Sequence, residues 1–235
     1  QQRLQTFPHN LLATATHDHK RGEDTRARLA VLSECAPWYV EQVEHWRTLA
    51  APLRTDASTP SAGDELILYQ VLLGSWPLDQ GADFAAYQQR LWQWQQKALR
   101  EAKLQSSWSA PNEAYEQGVE AFLSRLLLSE DGRALRTAIG NAAQAIAPAG
   151  ALNGLAQSLL RLTVPGVPDL YQGVEFWDFS LVDPDNRRPV DFSARQEALA
   201  TPADIGELLF NWRDGRIKQA LIAQVLAVRM AHPEL

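Results

Sequence analysis

Residues Ala13–Asp24 read ATATHDHKRGED, and the fold is decided by how that stretch is read. Just before and into it, Asn10, Leu11 and Leu12 open a short apolar run that predicts a buried strand, stopping at His17 and Asp18. A polar pair at the end of a buried strand is where enzymes built on a closed parallel sheet carry their chemistry. Lys20 and Arg21 follow, then Gly22 and the acids Glu23 and Asp24, then a helical pattern. Strand, charged loop and helix N-terminus thus succeed one another within about the length of one βα unit.

Working outward, Glu23 to Ala50 carries Leu29, Leu32, Trp38, Val40, Val43 and Trp46 at mostly helical spacing, interrupted at Pro37, which predicts two consecutive helices. Pro52 to Ala62 reads as a surface loop, with a tip expected to be disordered. Gly63–Trp76 is a helix with Leu66, Tyr69, Gln70 and Leu73 on one face. After Asp83, Phe84, Tyr87, Leu91, Trp94 and Ala98 step by three and four along another. Asn112 can cap the next, whose apolar side is Tyr115, Val119, Phe122 and Leu126. Helices over 134–146 and 151–162 follow, the second apolar nearly all round and so expected to be buried on more than one side. Pro165, Gly166 and Pro168 force a turn, Asp169–Gln172 can be a short strand, and Gly173–Arg188 is a loop dense in acids, arginines and aromatics, a composition that usually binds something. Two helical stretches around Gly215 end the chain, with Leu221, Val225, Val228 and Arg229 in the last. Two strands among so many helices make a poor closed domain, so they read as the last strands of a larger barrel. The expected divisions are 1–50, 51–147 as an inserted helical subdomain, 148–192, and 193–235.

The 235 residues are 46% hydrophobic and 21% charged, ordinary for a globular protein. A formal charge of -6 and the lack of a dense basic stretch argue against nucleic acid or an anionic membrane as partner. One cysteine, Cys35, forms no internal disulfide and suits a reducing compartment, here the cytoplasm, as a buried structural thiol. No signal peptide or membrane span is apparent, although the chain begins at Gln1 within a strand-like pattern, as a piece of something longer would. Eight tryptophans suit sugar stacking, but core packing is the commoner use. His19, His45 and His232 do not cluster with acids or Cys35 at ligand spacing, so neither metal nor cofactor is expected.

Three blocks carry a resemblance: THDHKRGEDTRARLAVLSE (16–34), ALREAKLQSSWSAPNEAYEQGV (98–119) and PGVPDLYQGVEFWDFSLVDPDNRRPVDF (165–192). Together they resemble the maltooligosyltrehalose synthase family of the α-amylase clan, over nearly the whole chain. The resemblance implies a mostly α chain forming the C-terminal part of a (β/α)8 barrel, with Leu11–Thr16 as strand seven, Asp169–Gln172 as strand eight and the helical segment between them as an insertion. It implies intramolecular transglucosylation of a maltooligosaccharide, turning the reducing-end α-1,4 link into an α,α-1,1 link with retention, through a nucleophile and a general acid/base about 5 Å apart. Asp18 would be the third acid, gripping sugar hydroxyls as positive charge develops, and His17 would hydrogen-bond the same sugar. Lys20 and Arg21 match a basic pair near the acceptor glucose, Tyr171 and Glu175 a strand-eight signature, and Asp183, Asp185, Arg187 and Arg188 a loop near the reducing-end sites. His19 stands where Thr is expected and Gly22 where Ser is expected. The nucleophile and general acid of the clan follow strands four and five, which fall outside these residues, so the chain alone is expected to be inactive and to need the missing part of its barrel.

Each of these residues also has a plainer reading. Asp18 could cap a helix and His17 could be a structural histidine. Lys20 and Arg21 could be solvated, Glu175 could tie its loop to the barrel, and Arg187 and Arg188 could pair with Asp183 and Asp185 as scaffolding. At the level of function, an α-amylase-like hydrolase or 4-α-glucanotransferase competes, as does a non-catalytic helical interaction or sugar-binding module.

Overall fold

A computed structural model describes residues 2–79, 81–201 and 203–232. In chain order the elements are α1 (Gln2–Thr6), β1 (Leu11–Ala13), α2 (Glu23–Ala30), α3 (Ala36–Ala50), α4 (Ala62–Ser75), α5 (Phe84–Ala102), α6 (Glu113–Leu128), α7 (Arg133–Thr163), β2 (Val167–Asp169), α8 (Phe192–Ala200), α9 (Ile205–Phe210) and α10 (Arg216–Ala231). Short 3-10 turns occupy Val31–Ser33, Ala51–Leu53, Asp185–Arg187 and Trp212–Asp214. The chain is mostly helical, and its two strands pair in parallel with Leu11 opposite Val167 and Ala13 opposite Asp169. It divides into two units, one made of Gln1–Arg28 with Ala149–Leu235 and the other of Leu29–Pro148.

The Leu29–Pro148 unit is a helical bundle in which α4, α5 and α6 start where side-chain caps satisfy their first amides. Ser61 accepts from the Asp64 amide, Asp83 from those of Ala85 and Ala86, and Asn112 from that of Tyr115. Trp46, Tyr69, Leu72, Leu91, Phe122 and Leu126 fill the interior, with Trp46 edge-on to Tyr69 at 5.4 Å between ring centres. Two carboxylates are buried with partners: Glu65 with Arg54 at 2.5 Å, and Glu116 gripped by both Nε and Nη2 of Arg100 at 2.8 and 2.7 Å. Trp46, Trp76 and Trp94 are core residues, whereas Trp108 is exposed. In the 52–62 loop Asp56 accepts from the amide and hydroxyl of Ser58, and Thr59 is buried.

The other unit places the β1–β2 pair beside the second half of α7, with α8 and α9 against α10. Two glycines on α7 let α2 come close: a Cβ on Gly150 would sit 2.8 Å from the Arg28 Cα, and one on Gly154 would sit 2.4 Å from the Asp24 carboxylate. Its apolar core is small, and at its centre lie Glu23, Asp24, Arg161 and Lys218, all buried.

Several expectations are corrected. The strands cover 11–13 and 167–169 instead of 11–16 and 169–172, and neither is buried. Past Ala13 the backbone leaves the ladder because side chains claim it: the Thr14 carbonyl accepts from Arg26 and its hydroxyl donates to Glu23. At the other strand, the Tyr171 carbonyl accepts from the Val174 amide, turning the chain. The break between α2 and α3 falls before Pro37, which sits in the first turn of α3, where its missing N–H costs nothing. The two helices expected over 134–162 are one helix with Pro148 inside it. Its second half is not buried all round, since Leu152, Leu159 and Leu160 are exposed and only the face with Gly154, Ser158, Arg161 and Leu162 is covered. On α4 the buried set is Leu68, Tyr69, Val71, Leu72 and Leu73, with Leu66 exposed. On α10 it is Ile217, Lys218, Gln219 and Ile222, with Val228 exposed. Cys35 is only half-buried, its thiol donating to the Val31 carbonyl at 3.3 Å.

Candidate active site

Parallel pairing brings the ends of β1 and β2 to the same side, so the loops that follow them are neighbours. The first loop holds His17, Asp18, His19, Lys20 and Arg21, and the second runs from Tyr171 through Arg188. They are laced together. Asn186 donates through Nδ2 to the His17 carbonyl at 2.8 Å, the Gly22 amide donates to the Ser180 carbonyl at 2.7 Å, and Arg21 forms a bridge with Leu181. The His19 ring meets the Ser180 hydroxyl at 3.3 Å and lies edge-on to Tyr171 at 5.9 Å. A Cβ on Gly22 would fall 2.7 Å from the Asp178 carbonyl, so a serine there would require Asp178 to move.

The individual residues separate into two kinds. His17 is exposed, and the Asp18 carboxylate is 65% exposed, 3.8 Å from the Lys20 ammonium. These three side chains are presented outward from the loop, where they can meet a ligand. Asp185 is buried, one oxygen accepting from the Leu181 amide at 2.8 Å and the other facing Arg188 Nε at 2.9 Å. Arg187 pairs with Asp183 at 2.7 Å, and Glu175 with Arg195 at 3.2 Å. These pairs shape the second loop. Asp185, Arg188 and Arg195 also line a cavity of about 200 Å³, together with Tyr171, Asp178 and Asn186 among others.

Beneath the first loop sits a charged cluster. Lys218 donates to Glu23 at 2.6 Å, to Asp24 at 2.7 Å and to the Phe176 carbonyl at 3.4 Å, and Arg161 donates to the other Glu23 oxygen at 2.8 Å and to Thr14. Burial opposes ionisation of Glu23, but Lys218 and Arg161 outweigh it and hold the carboxyl down at about 2. Burial likewise opposes the Lys218 charge, yet Asp24 and Glu23 raise the ammonium above its ordinary value. Asp24 is raised, by burial first and then by the neighbouring Glu23 charge.

Sequence reasoning missed Asn186, Asp178, Ser180, Arg161 and Lys218. For Lys218 a signal exists: it stands between the apolar Ile217 and Ile222 on a helix face, where a lysine is buried only with acid partners. Among the described residues no group of three His, Cys, Asp or Glu side chains could hold a metal ion, and no helix is long and apolar enough to cross a membrane.

No known family model matches the chain. A protein of Mycobacterium tuberculosis with the provisional name maltooligosyl trehalose synthase is 39% identical over 232 residues, 99% of this chain and 27% of the relative. Over nearly its whole length the chain is similar to part of the maltooligosyltrehalose synthases. Solved structures agree: maltooligosyltrehalose synthase from Arthrobacter ramosus superposes with a TM-score of 0.76 at 34% identity, covering all of this chain and 28% of that one. A Sulfolobus tokodaii structure described as a hypothetical maltooligosyl trehalose synthase gives 0.78 at 33% identity over 93% of this chain and 28% of its own. The chain therefore spans little more than a quarter of the length of the maltooligosyltrehalose synthases it matches, so the match covers its fold and leaves three-quarters of theirs unrepresented.

Proposed function

We propose that this chain is the part of a maltooligosyltrehalose synthase that carries barrel strands seven and eight, β1 and β2, with residues 51–147 inserted between them, 1–50 and 148–192 as barrel segments and 193–235 as closing helices. The observation that carries the reading is the lacing of the His17–Gly22 loop to the 176–188 loop at one end of a parallel strand pair. In barrels built this way, that end is the catalytic one. Asp18, open to solvent, is the acid that holds sugar hydroxyls more tightly as the oxocarbenium ion develops, and His17 hydrogen-bonds the same ring. Lys20, Arg21, Tyr171 and Glu175 border the donor and acceptor glucose units, and Asp185, Arg187 and Arg188 shape and charge the reducing-end loop. The reaction is a retaining intramolecular transglucosylation on a maltooligosaccharide, feeding trehalose formation in the cytoplasm. Its nucleophile and general acid reside on the remaining barrel, which is this chain's partner, and the 235 residues alone are inactive.

The test is incubation of the full-length protein with maltopentaose. Loss of reducing ends without release of free sugar supports the synthase. Glucose or maltose as the main product overturns it in favour of an amylase-like hydrolase, and shuffled chain lengths favour a 4-α-glucanotransferase.

A further inference from the structure

Lys218 lies on α10, about two hundred residues along the chain from Asp18, and its side chain is fully buried. Its ammonium has three acceptors: the carboxylates of Glu23 and Asp24, which open α2 directly after the candidate sugar loop, and the Phe176 carbonyl in the second loop. Asp24 passes the restraint on, because its carboxylate accepts from the Asp178 amide at 2.7 Å while its own amide donates to the Asp178 carbonyl at 3.2 Å. Two residues before Asp24, Gly22 is tied to Ser180. Glu23 carries a second restraint through Arg161 and Thr14 to the end of β1. Both ends of the His17–Gly22 loop are thus fastened to a single charged knot, in which Lys218 reaches the facing loop at Phe176 and also holds Asp24, which reaches it at Asp178. A cluster whose only task was to hold the unit together could often be replaced by apolar side chains of similar volume at little cost, whereas this one joins two loops through three acceptors on a single ammonium.

We infer that Lys218 is a positioning residue: its ammonium sets the spacing between the loop bearing His17 and Asp18 and the loop from Phe176 to Arg188, and through it the placement of Asp18 toward substrate. This rests on the sugar-site reading above, and the experiment has an arm that does not.

In the full-length protein, Lys218→Met and the charge-balanced Lys218→Met/Asp24→Asn are compared with wild type for thermal midpoint, kcat and KM on maltopentaose, and hydrogen exchange at the Gly22 and Asp178 amides. The double variant restores charge balance and is expected to recover most of the thermal midpoint lost by the single one. It is expected to keep a kcat lowered about tenfold or more, the cost of a small misplacement of a reacting group. Its KM changes by no more than about threefold. Exchange at Gly22 and Asp178 rises about tenfold or more in both variants, while amides of α5 keep the wild-type rate. Recovery of kcat together with the midpoint, or unchanged exchange at Gly22 and Asp178, overturns the inference and leaves Lys218 a stabilising residue only. If Lys218→Met does not fold, the double variant decides through kcat and the Gly22 amide, whose acceptor Ser180 neither substitution touches. If wild type makes no non-reducing product, the sugar reading falls, and the exchange measurement still decides whether Lys218 sets the loop spacing.

Discussion

Asp18 and Glu116 are both carboxylates, and their surroundings give them opposite work. Asp18 stands largely in water on a loop, with the Lys20 ammonium 3.8 Å away. Exposed at that separation, the pair adds little stability, so a charge kept there suits a ligand better than the fold. Asp18→Asn in the full-length protein is expected to lower turnover several hundredfold, about 4 kcal/mol of transition-state stabilisation, with the thermal midpoint unchanged. Steady-state rates on maltopentaose check this, and near-normal turnover would remove Asp18 from the chemistry. Glu116 is the reverse case. Hydrogen bonds from Arg100 outweigh desolvation, Ser106 and Gln96 add theirs, and the carboxyl is held at about 2 against an ordinary 4.5. Between those values the unfolded chain binds a proton that the folded chain does not, so Glu116 stabilises fully above about 4.5 and loses that contribution as pH falls toward 2. Glu116→Gln should flatten the acid limb of the stability curve for the Leu29–Pro148 unit, measured by urea unfolding at pH 3 to 5, a range bracketing carboxylate titration.

At the scale of elements, what fixes a helix is either a cap or a neighbour, and the two respond differently to substitution. Asp83 caps α5 through two amides, and Asp83→Ala is expected to cost about 1 kcal/mol, seen as a lower urea midpoint. On α7 the neighbour decides. Gly→Ala inside a helix gains about 1 kcal/mol on propensity alone. At Gly150, however, the new Cβ would press on the Arg28 backbone at 2.8 Å, and overpacking of this kind costs about 1–3 kcal/mol. Gly150→Ala should therefore lower the thermal midpoint, whereas Gly63→Ala, whose Cβ meets nothing within 4 Å, should hold or raise it. This division also explains what could be read from the residues alone. The helices over α4, α5 and α6 were readable because apolar spacing and, for α6, the Asn112 cap are local signals, and Ser61 and Asp83 offer the same kind of signal at α4 and α5. The segment after β1 was readable as a loop because its residues are polar and charged, and the two short strands were placed to within a few residues. Pro148 was misleading: a proline inside a helix predicts a break, but α7 runs through it. The start of α8 at the Asp191 cap was overlooked, though the signal was present. The lacing of the two loops was out of reach, since Asn186, Asp178 and Lys218 meet their partners across more than 150 residues, and no local pattern encodes such contacts.

At the scale of the whole molecule, the two units are stabilised in different ways. The Leu29–Pro148 unit buries aromatic and leucine side chains in quantity, while the unit holding the candidate site has fewer buried apolar residues and a buried ionic cluster among them. The same unit leaves Leu11 69% exposed and Leu160 59% exposed, both lining a groove of about 390 Å³ between β1 and the last turns of α7. Parallel strands are ordinarily covered on both faces, and an uncovered strand edge with apolar side chains invites pairing with another chain. In the proposed barrel the next strand and its helix would lie along that groove. The isolated 235-residue chain is therefore expected to self-associate, with its weight-average sedimentation coefficient rising between low and high micromolar concentration. Leu11→Lys with Leu160→Glu places one charge of each sign on the two exposed positions, and should hold the chain monomeric over the same range without altering its helical circular dichroism. A wild-type chain that stays monomeric throughout would mean that this surface needs no cover, and would favour a self-sufficient module over part of a barrel.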